Sequence, residues 1–229
     1  MTQKVALVTG ANGGLGTRVT KTLLDAEFLV AGLAPRIQPK DFDHPHFAAV
    51  PATLSNLDES RKVVEAVIAK FGKIDLLVHT VGGFAGGQTV AETDDATWQR
   101  MFDMNVNSTF HILRAVIPNM RAARSGRIVA IGSRAAESPG AKVGAYSASK
   151  AAVVSLIRTV AIENKGLGIT ANVILPGTID TPANRAAMPG ADSSTWVKPE
   201  SIASLILWLA SDAGKDVTGA AIPVYGQGL

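Results

Sequence analysis

A tyrosine and a lysine four residues apart, with a serine thirteen residues upstream, could carry out proton transfer in this chain. Tyr146 and Lys150 lie at the start of a strongly helical apolar pattern, so both side chains should emerge on one helix face. A free phenol has a pKa of about 10, but a neighbouring ammonium favours the phenolate and brings that pKa closer to neutrality. Ser133 ends an apolar strand pattern at 127–132, where catalytic residues of open parallel sheets lie. These residue types at this spacing predict a general acid–base site.

A glycine-rich turn near the N-terminus could hold a pyrophosphate. It joins an apolar, β-branched run at 4–9 to a helical pattern that starts at Gly14. Glycine lets the backbone turn sharply and approach a phosphate, and the free amides and dipole of a helix N-terminus favour negative charge. An ordinary βα turn is the alternative, but the position on the first strand favours a dinucleotide. The predicted contacts are Gly10, Asn12, Gly13, Gly14, Leu15 and Gly16.

Together these motifs resemble the short-chain dehydrogenase/reductase family over nearly the whole chain. The family's Tyr-x-x-x-Lys pattern and upstream Ser are matched by Tyr146, Lys150 and Ser133, and its Trp-x-x-x-x-x-x-Asn pattern by Trp98 and Asn105. The family's Thr-Gly-x-x-x-Gly-x-Gly is matched by Thr9, Gly10, Gly14 and Gly16, and its Pro-Gly turn with a later Thr by Pro176, Gly177 and Thr181.

The resemblance implies hydride transfer between NAD(P)(H) and a small carbonyl compound or its alcohol. It implies that Tyr146 acts as general acid/base and that Ser133 orients the substrate oxygen. It further implies that Lys150 bonds the ribose hydroxyls and lowers the Tyr pKa, while Asn105 holds a water relay. Further implied cofactor contacts are Thr53, Leu54, Val81, Gly82, Pro176, Gly177, Thr178, Ile179 and Thr181, together with Tyr146 and Lys150.

Three departures from the family pattern bear on cofactor affinity more than on chemistry. The family's Asn-Asn-Ala-Gly is replaced by residues 79–82, His-Thr-Val-Gly, so the Asn contacts that brace the sheet are expected to be lost. Thr53 replaces the Asp that usually meets the adenine, and Ser108 stands where a Gly often follows the catalytic Asn.

The end of the second strand predicts the choice of cofactor. A strand-end acid would bind both ribose hydroxyls of NAD, but Leu33 and Ala34 occupy those positions. Arg36 follows closely and could pair with the 2′-phosphate of NADP, although a solvated loop arginine is the alternative. NADP(H) is therefore favoured over NAD(H).

Two loops show a narrower resemblance, to the dihydropteridine reductase branch of the same family. They are residues 82–87 and 180–196. Enzymes of that branch lack the catalytic Ser, so Ser133 favours carbonyl chemistry, with pterin reduction as the alternative. A non-catalytic nucleotide-sensing protein is a further alternative, but the intact Tyr–Lys pair opposes it. The segment 181–196 is expected to be a mobile substrate lid without a strong helical pattern, and the predicted substrate pocket comprises Phe84, Ala135 and Trp196.

The elements that must position these residues alternate along the chain. Apolar patterns predict strands at about 4–9, 28–33, 47–50, 74–80, 126–132, 169–175 and 220–225, and helices at about 14–26, 56–71, 97–122, 146–164 and 199–211. They indicate a single α/β domain over 1–229, a Rossmann-type doubly wound parallel sheet of about seven strands with helices on both faces. Pro35, Pro39 and Pro45 predict that the crossover helix after the second strand is reduced.

Composition agrees with a compact enzyme and excludes several other classes. The 229 residues include no cysteine, which rules out disulfides, thiol nucleophiles and cysteine-ligated zinc, and the four histidines show no ligand-like spacing. The net charge of +3, from scattered basic residues, predicts no nucleic-acid partner. No signal peptide, membrane association or metal is expected, and the cytoplasm is the default location. Wide apolar faces on the helices at 97–122 and 146–164 predict a homodimer or homotetramer.

Overall fold

The computed structural model describes residues 3–227, which form one seven-stranded parallel sheet with helices on both faces. The strands are β1 (Val5–Thr9), β2 (Leu29–Ala34), β3 (Phe47–Pro51), β4 (Leu76–His79), β5 (Gly126–Ile131), β6 (Ile169–Pro176) and β7 (Ala221–Val224). Their order is β3-β2-β1-β4-β5-β6-β7, which confirms the doubly wound topology. The strand order reverses between β1 and β4, and ligands of such sheets bind outside the carboxyl ends at that point.

Residues 3–227 include seven α-helices, and an apolar core lies on each face of the sheet. The helices are α1 (Gly14–Asp25), α2 (Leu57–Phe71), α3 (Asp95–Phe102), α4 (Ser108–Ala123), α5 (Gly144–Glu163), α6 (Pro182–Ala187) and α7 (Pro199–Ala210). The core on one face includes side chains of α2, α4 and α5, and the opposite core includes side chains of α1 and α7. Successive residues of β1 alternate between the two cores, as the two-residue period of a strand requires.

The helix predicted at 97–122 is instead built from three pieces. α3 ends at Phe102, a π-helical turn spans Asp103–Asn107, and α4 starts at Ser108. A π turn inserts an extra residue into the helical ladder and often occurs at functional sites. Here it carries Asn105, whose side chain is buried against the segment that follows β4.

The crossover between β2 and β3 contains only a short 3-10 turn, Pro39–Asp41, as the prolines predicted. The segment 181–196 is more regular than expected. The side chain of Thr181 accepts a hydrogen bond from the Asn184 amide (3.2 Å), which starts α6 with Pro182 in its first turn, and a 3-10 turn follows at Ser193–Thr195. The sequence did not predict this short helix because it has no long apolar periodicity. The helix starts through capping by Thr181 and Pro182 rather than through burial of an apolar face.

Among residues 3–227, α5 is long and apolar enough to cross a membrane by length and composition alone. Half of its apolar window is nevertheless buried inside the protein, and its residues Val153, Ile157 and Val160 belong to the core beneath the sheet. The same helix carries Tyr146 and Lys150. It therefore acts here as a core helix that supports the candidate site.

Candidate active site

The glycine turn between β1 and α1 is shaped to admit a phosphate. Gly10 has a φ of +69°, in the left-handed region that glycine adopts readily. A side chain at Gly16 would collide with the Gly10 carbonyl, so close packing of helix on turn requires glycine there. Gly13 caps α1 without any side-chain hydrogen bond, and no acid lies in the first turn. Amides of that turn can therefore face an anionic ligand.

Two further segments, one after β4 and one after β6, pack against this turn. A Cβ built on Gly14 would lie 2.8 Å from Thr181 Cγ2. A Cβ built on Gly10 would lie 2.7 Å from Thr80 Oγ1 and 3.3 Å from the Val81 amide nitrogen. The carboxyl ends of β1 and β4 and the segment after β6 thus meet at one place, and the absence of side chains at Gly10 and Gly14 permits this close packing.

The segment after β6 is fixed to the C-terminal part of the sheet. The Gly177 amide donates to the Val224 carbonyl (3.0 Å), directly after Pro176 ends β6. The Val197 amide donates to the Thr178 carbonyl (2.8 Å), and Ile179 forms a parallel bridge with Val197. The predicted nicotinamide-side turn therefore has a defined backbone next to the glycine turn.

Tyr146 and Ser133 come together as predicted. A side-chain hydrogen bond links them, and Ser133 itself is 8% exposed. Ser133 Oγ also accepts a hydrogen bond from the Ala135 amide (3.1 Å). Burial raises the pKa of Tyr146 above its ordinary value, and the hydrogen bond with Ser133 opposes that rise. The phenol is accordingly protonated at neutral pH.

Lys150 is buried one helical turn from Tyr146. Its Nζ donates to the Ile131 carbonyl (3.0 Å), and burial lowers its pKa to about 8. A Cβ on Gly82 would lie 3.0 Å from this Nζ, so the ammonium faces the loop that follows β4. Within the protein, desolvation has the largest influence on the pKa of Tyr146 and raises it.

Asn105 joins the loop after β4 to α5. Its Oδ1 accepts from the Gly83 amide (2.9 Å), and its Nδ2 donates to the Gly83 carbonyl (3.1 Å) and to Ser149 Oγ (2.9 Å). Ser149 Oγ in turn donates to the Tyr146 carbonyl (2.7 Å). No sequence motif pointed to Ser149, although it lies between Tyr146 and Lys150. These bonds hold α5 against the loop that follows β4.

The Asn contacts of the family are absent, but the residues that replace the Asn pair brace the sheet by other hydrogen bonds. His79 Nδ1 and Thr9 Oγ1 lie 2.8 Å apart across β4 and β1, and Thr80 Oγ1 donates to the Thr9 carbonyl (2.7 Å). His79 is 2% exposed, and its Nε2 has no hydrogen-bond partner among residues 3–227. Burial first, and the positive charge of Lys150 second, lower the pKa of His79 to about 3. The imidazole is therefore neutral near pH 7.

The residues predicted to contact the adenosine end of the cofactor differ in their surroundings. The Thr53 hydroxyl donates a hydrogen bond to the carboxylate of Glu59, which lies in the first turn of α2. The Leu54 carbonyl lies 3.0 Å from His111 Nδ1. Arg36 and Asn12 are exposed beside their turns. Arg36 forms none of the salt bridges found within residues 3–227.

A cavity of about 340 Å³ adjoins Tyr146 through Phe84, whose ring packs edge-on against the Tyr146 ring (centroids 4.9 Å apart). Of the three predicted substrate-pocket residues, Phe84 lines this cavity. Ala135 lies in the 3-10 turn after Ser133, and Trp196 lies after the 3-10 turn Ser193–Thr195 near Gly226, so neither belongs to its lining. The described lining residues are Phe84, Ala85, Gly86, Gln88, Thr93, Thr97, Arg100, Lys142, Gly144 and Ala145.

Comparison with known proteins identifies the family. The family model for short chain dehydrogenases matches residues 4–191. The 3-oxoacyl-(acyl-carrier-protein) reductase FabG of Thermotoga maritima is 30% identical over 240 residues, covering 97% of this chain and 96% of the relative. The short chain dehydrogenase adrF of Penicillium rubens is 30% identical over 245 residues, covering 96% and 94%. The crystal structure of gox2181 superposes with a TM-score of 0.91 at 28% identity, covering 98% of this chain and 95% of that one. The family model and these relatives agree with the glycine turn and the Tyr146–Lys150 pair. The chain therefore belongs to the short-chain dehydrogenase/reductase family and is an NAD(P)-dependent oxidoreductase.

Proposed function

We propose that this protein interconverts a small carbonyl compound and its alcohol, with Tyr146 as general acid/base. The observation that carries the proposal is the hydrogen bond between Tyr146 and Ser133 beside the Phe84 ring. Two hydroxyls that meet in this way can both bind one substrate oxygen, a geometry suited to a carbonyl that becomes an alkoxide.

In the direction of reduction, Tyr146 donates the proton that the substrate oxygen requires. Because burial raises its pKa, the phenol holds this proton at neutral pH. Ser133 holds the oxygen in place, and its hydrogen bond stabilises the negative charge that develops there. A nicotinamide cofactor, when bound, would supply the hydride. The reaction thus forms one C–H and one O–H bond, and Tyr146 must regain a proton before the next turnover.

Lys150 is suited to support the phenolate that remains after this transfer. Its pKa of about 8 leaves the side chain mostly charged near pH 7, and a buried cation acts strongly on a nearby anion. Asn105 fixes the loop at Gly83 and, through Ser149, the first turn of the catalytic helix. The family resemblance adds a water relay at Asn105 and ribose contacts by Lys150, and we include both in the proposal.

We further propose a preference for NADP(H) over NAD(H). The positions where an acid would bind both ribose hydroxyls are Leu33 and Ala34, and both side chains are buried. Arg36 is exposed two residues beyond, and a guanidinium can bond a 2′-phosphate through two parallel hydrogen bonds. This arrangement supports the assignment of Arg36 as the phosphate-binding residue.

Pterin reduction remains the alternative, because the loops 82–87 and 180–196 resemble those of dihydropteridine reductases. A panel of cyclic and aryl ketones, diketones and quinonoid dihydropteridine, each with NADPH and NADH, tests the two against each other. We expect kcat/KM for at least one cyclic or aryl ketone to exceed that for quinonoid dihydropteridine. The opposite ranking, with activity indifferent to Ser133→Ala, would assign the protein to pterin chemistry.

A further inference from the structure

The cavity beside Phe84 has positively charged residues in its described lining. Two of its described lining residues, Arg100 and Lys142, are cationic, and none is acidic. Arg100 is on α3 and Lys142 precedes α5, so the cations come from separate elements. Neither takes part in a salt bridge within residues 3–227. Their charges are therefore available to a ligand in the cavity.

The carboxylate of Asp94 interacts electrostatically with Arg100 but is already engaged elsewhere. Asp94 caps α3, and its Oδ1 accepts a hydrogen bond from the Thr97 amide (2.6 Å). This bond is the main cause of the lowered pKa of Asp94, and the charge of Arg100 contributes only after it. Asp94 is not among the described residues that line the cavity, so its carboxylate does not occupy the space where a ligand would bind.

Lys142 is held at the rim by an unusual backbone. Its φ of +63° lies in the left-handed region, which costs a residue with a Cβ about 1 kcal/mol or more. The Gly87 amide donates to the Lys142 carbonyl (2.9 Å), and a Cβ on Gly86 would lie 3.3 Å from that same oxygen. The loop after β4 thus fixes the backbone from which the Lys142 side chain starts.

One wall of the cavity lies next to Tyr146, although Tyr146 and Ser133 are not among its described lining residues. Ala145, which precedes Tyr146, lines it, and the Phe84 ring in its wall contacts the Tyr146 ring. A molecule with its carbonyl at Tyr146 and Ser133 and its apolar ring on Phe84 would extend toward Arg100 and Lys142. The cavity, about 340 Å³, is large enough for a one-ring compound.

We propose that this cavity selects a substrate with an anionic group, so that the preferred compounds are ring-containing ketones bearing a carboxylate or a phosphate. The inference rests on the proposed carbonyl chemistry and names the substrate class of the same site. Arg100 and Lys142 are its specificity-determining residues, because they can pair with the anion while Tyr146 and Ser133 bind the carbonyl oxygen.

Binding of small aromatic probes tests the inference without turnover. Benzoate, phenyl phosphate and neutral benzamide are titrated into the NADP⁺-loaded protein by calorimetry. We expect at least one anion to bind more tightly than benzamide by about two- to fivefold for each cation it contacts, and less tightly as salt rises. The preferred anion distinguishes carboxylate from phosphate. Benzamide binding as well as both anions, or no probe binding at all, overturns the inference.

Variants connect the selectivity to the two cations. The double variant Arg100→Gln, Lys142→Gln should lose the anion preference, whereas Lys62→Gln, which removes an exposed cation of α2 outside the cavity, should retain it. An anion preference that survives in the double variant contradicts the proposal.

Turnover of 4-acetylbenzoate and its methyl ester separates this inference from the proposed function. The acid-to-ester ratio of kcat/KM should fall in the double variant, mainly through KM of the acid. Ketone reduction without acid preference would refute only the anion site. Anion-selective binding without reduction of any ketone would refute only the carbonyl chemistry.

Discussion

The buried histidine next to Lys150 should make the stability of this protein fall as the solution becomes mildly acidic. His79 has a pKa lowered to about 3 in the folded state, chiefly by burial, against about 6.5 when unfolded. Between these values the unfolded chain binds the proton and the folded chain does not. Stability therefore rises with pH through this window and is lost as pH falls below about 6.5.

The magnitude follows from the two pKa values. Integrated from pH 7 to pH 5, the difference in bound protons at His79 lowers the free energy of unfolding by about 2 kcal/mol. Lys150, with a pKa of about 8, is charged over most of this range in both states and adds little to the slope. The lowered pKa of Asp180, caused first by its hydrogen bond from Arg185, acts at lower pH because an unfolded Asp titrates near 3.9.

Urea unfolding of the wild type and of His79→Asn at pH 5, 6 and 7 isolates the contribution of His79 to the pH dependence of stability. Both proteins are measured at one concentration, so that any self-association affects them equally. The asparagine can still bond Thr9 but does not titrate. We expect the stability difference between the two proteins to change by about 2 kcal/mol between pH 7 and pH 5, in favour of the variant at pH 5. Parallel pH curves would show that His79 becomes charged within the folded protein and would refute the reasoning.

Three further outcomes test other parts of the account. Arg36→Ala should weaken NADPH binding by about 1–3 kcal/mol and leave NADH nearly unchanged, as measured by fluorescence titration; equal losses, or a wild type that prefers NADH, would refute the phosphate assignment. Ser133→Ala should lower ketone reduction by roughly tenfold or more, since one of two groups on the substrate oxygen is lost. We also propose a homodimer or homotetramer built on α4 and α5, which expose Phe110 (42%) and Ile162 (75%), and a monomeric mass by light scattering at micromolar concentration would rule it out.

Local sequence was enough to predict the parts of the site that depend on short-range spacing. Tyr146 and Lys150 share a face because α5 forms where its apolar pattern begins, and the glycines lie at the β1–α1 junction because β1 is a continuous apolar run. The prolines before β3 correctly predicted the reduced crossover. Each of these features follows from the periodicity or backbone preference of neighbouring residues.

Features that depend on distant residues could not be predicted in this way. The bracing of the sheet by His79 and Thr80 requires knowing that β4 pairs with β1, which places both residues beside Thr9. The π turn at Asn105 interrupts a helix whose residues show no break in pattern. Arg100 and Lys142 are far apart in sequence and meet only around the cavity next to Phe84. In all three cases the tertiary fold, rather than local propensity, determines the outcome.

The turnover of Tyr146→Phe on a reduced ketone tests the central claim most directly. The substitution removes the hydroxyl that bonds Ser133 and keeps the ring that packs against Phe84, so the site should retain its shape. Measured beside the wild type with saturating NADPH, the variant should lose kcat by on the order of 10² or more while its dissociation constant for NADPH stays nearly the same. Near-full turnover in the variant would contradict the assignment of Tyr146 as the general acid/base.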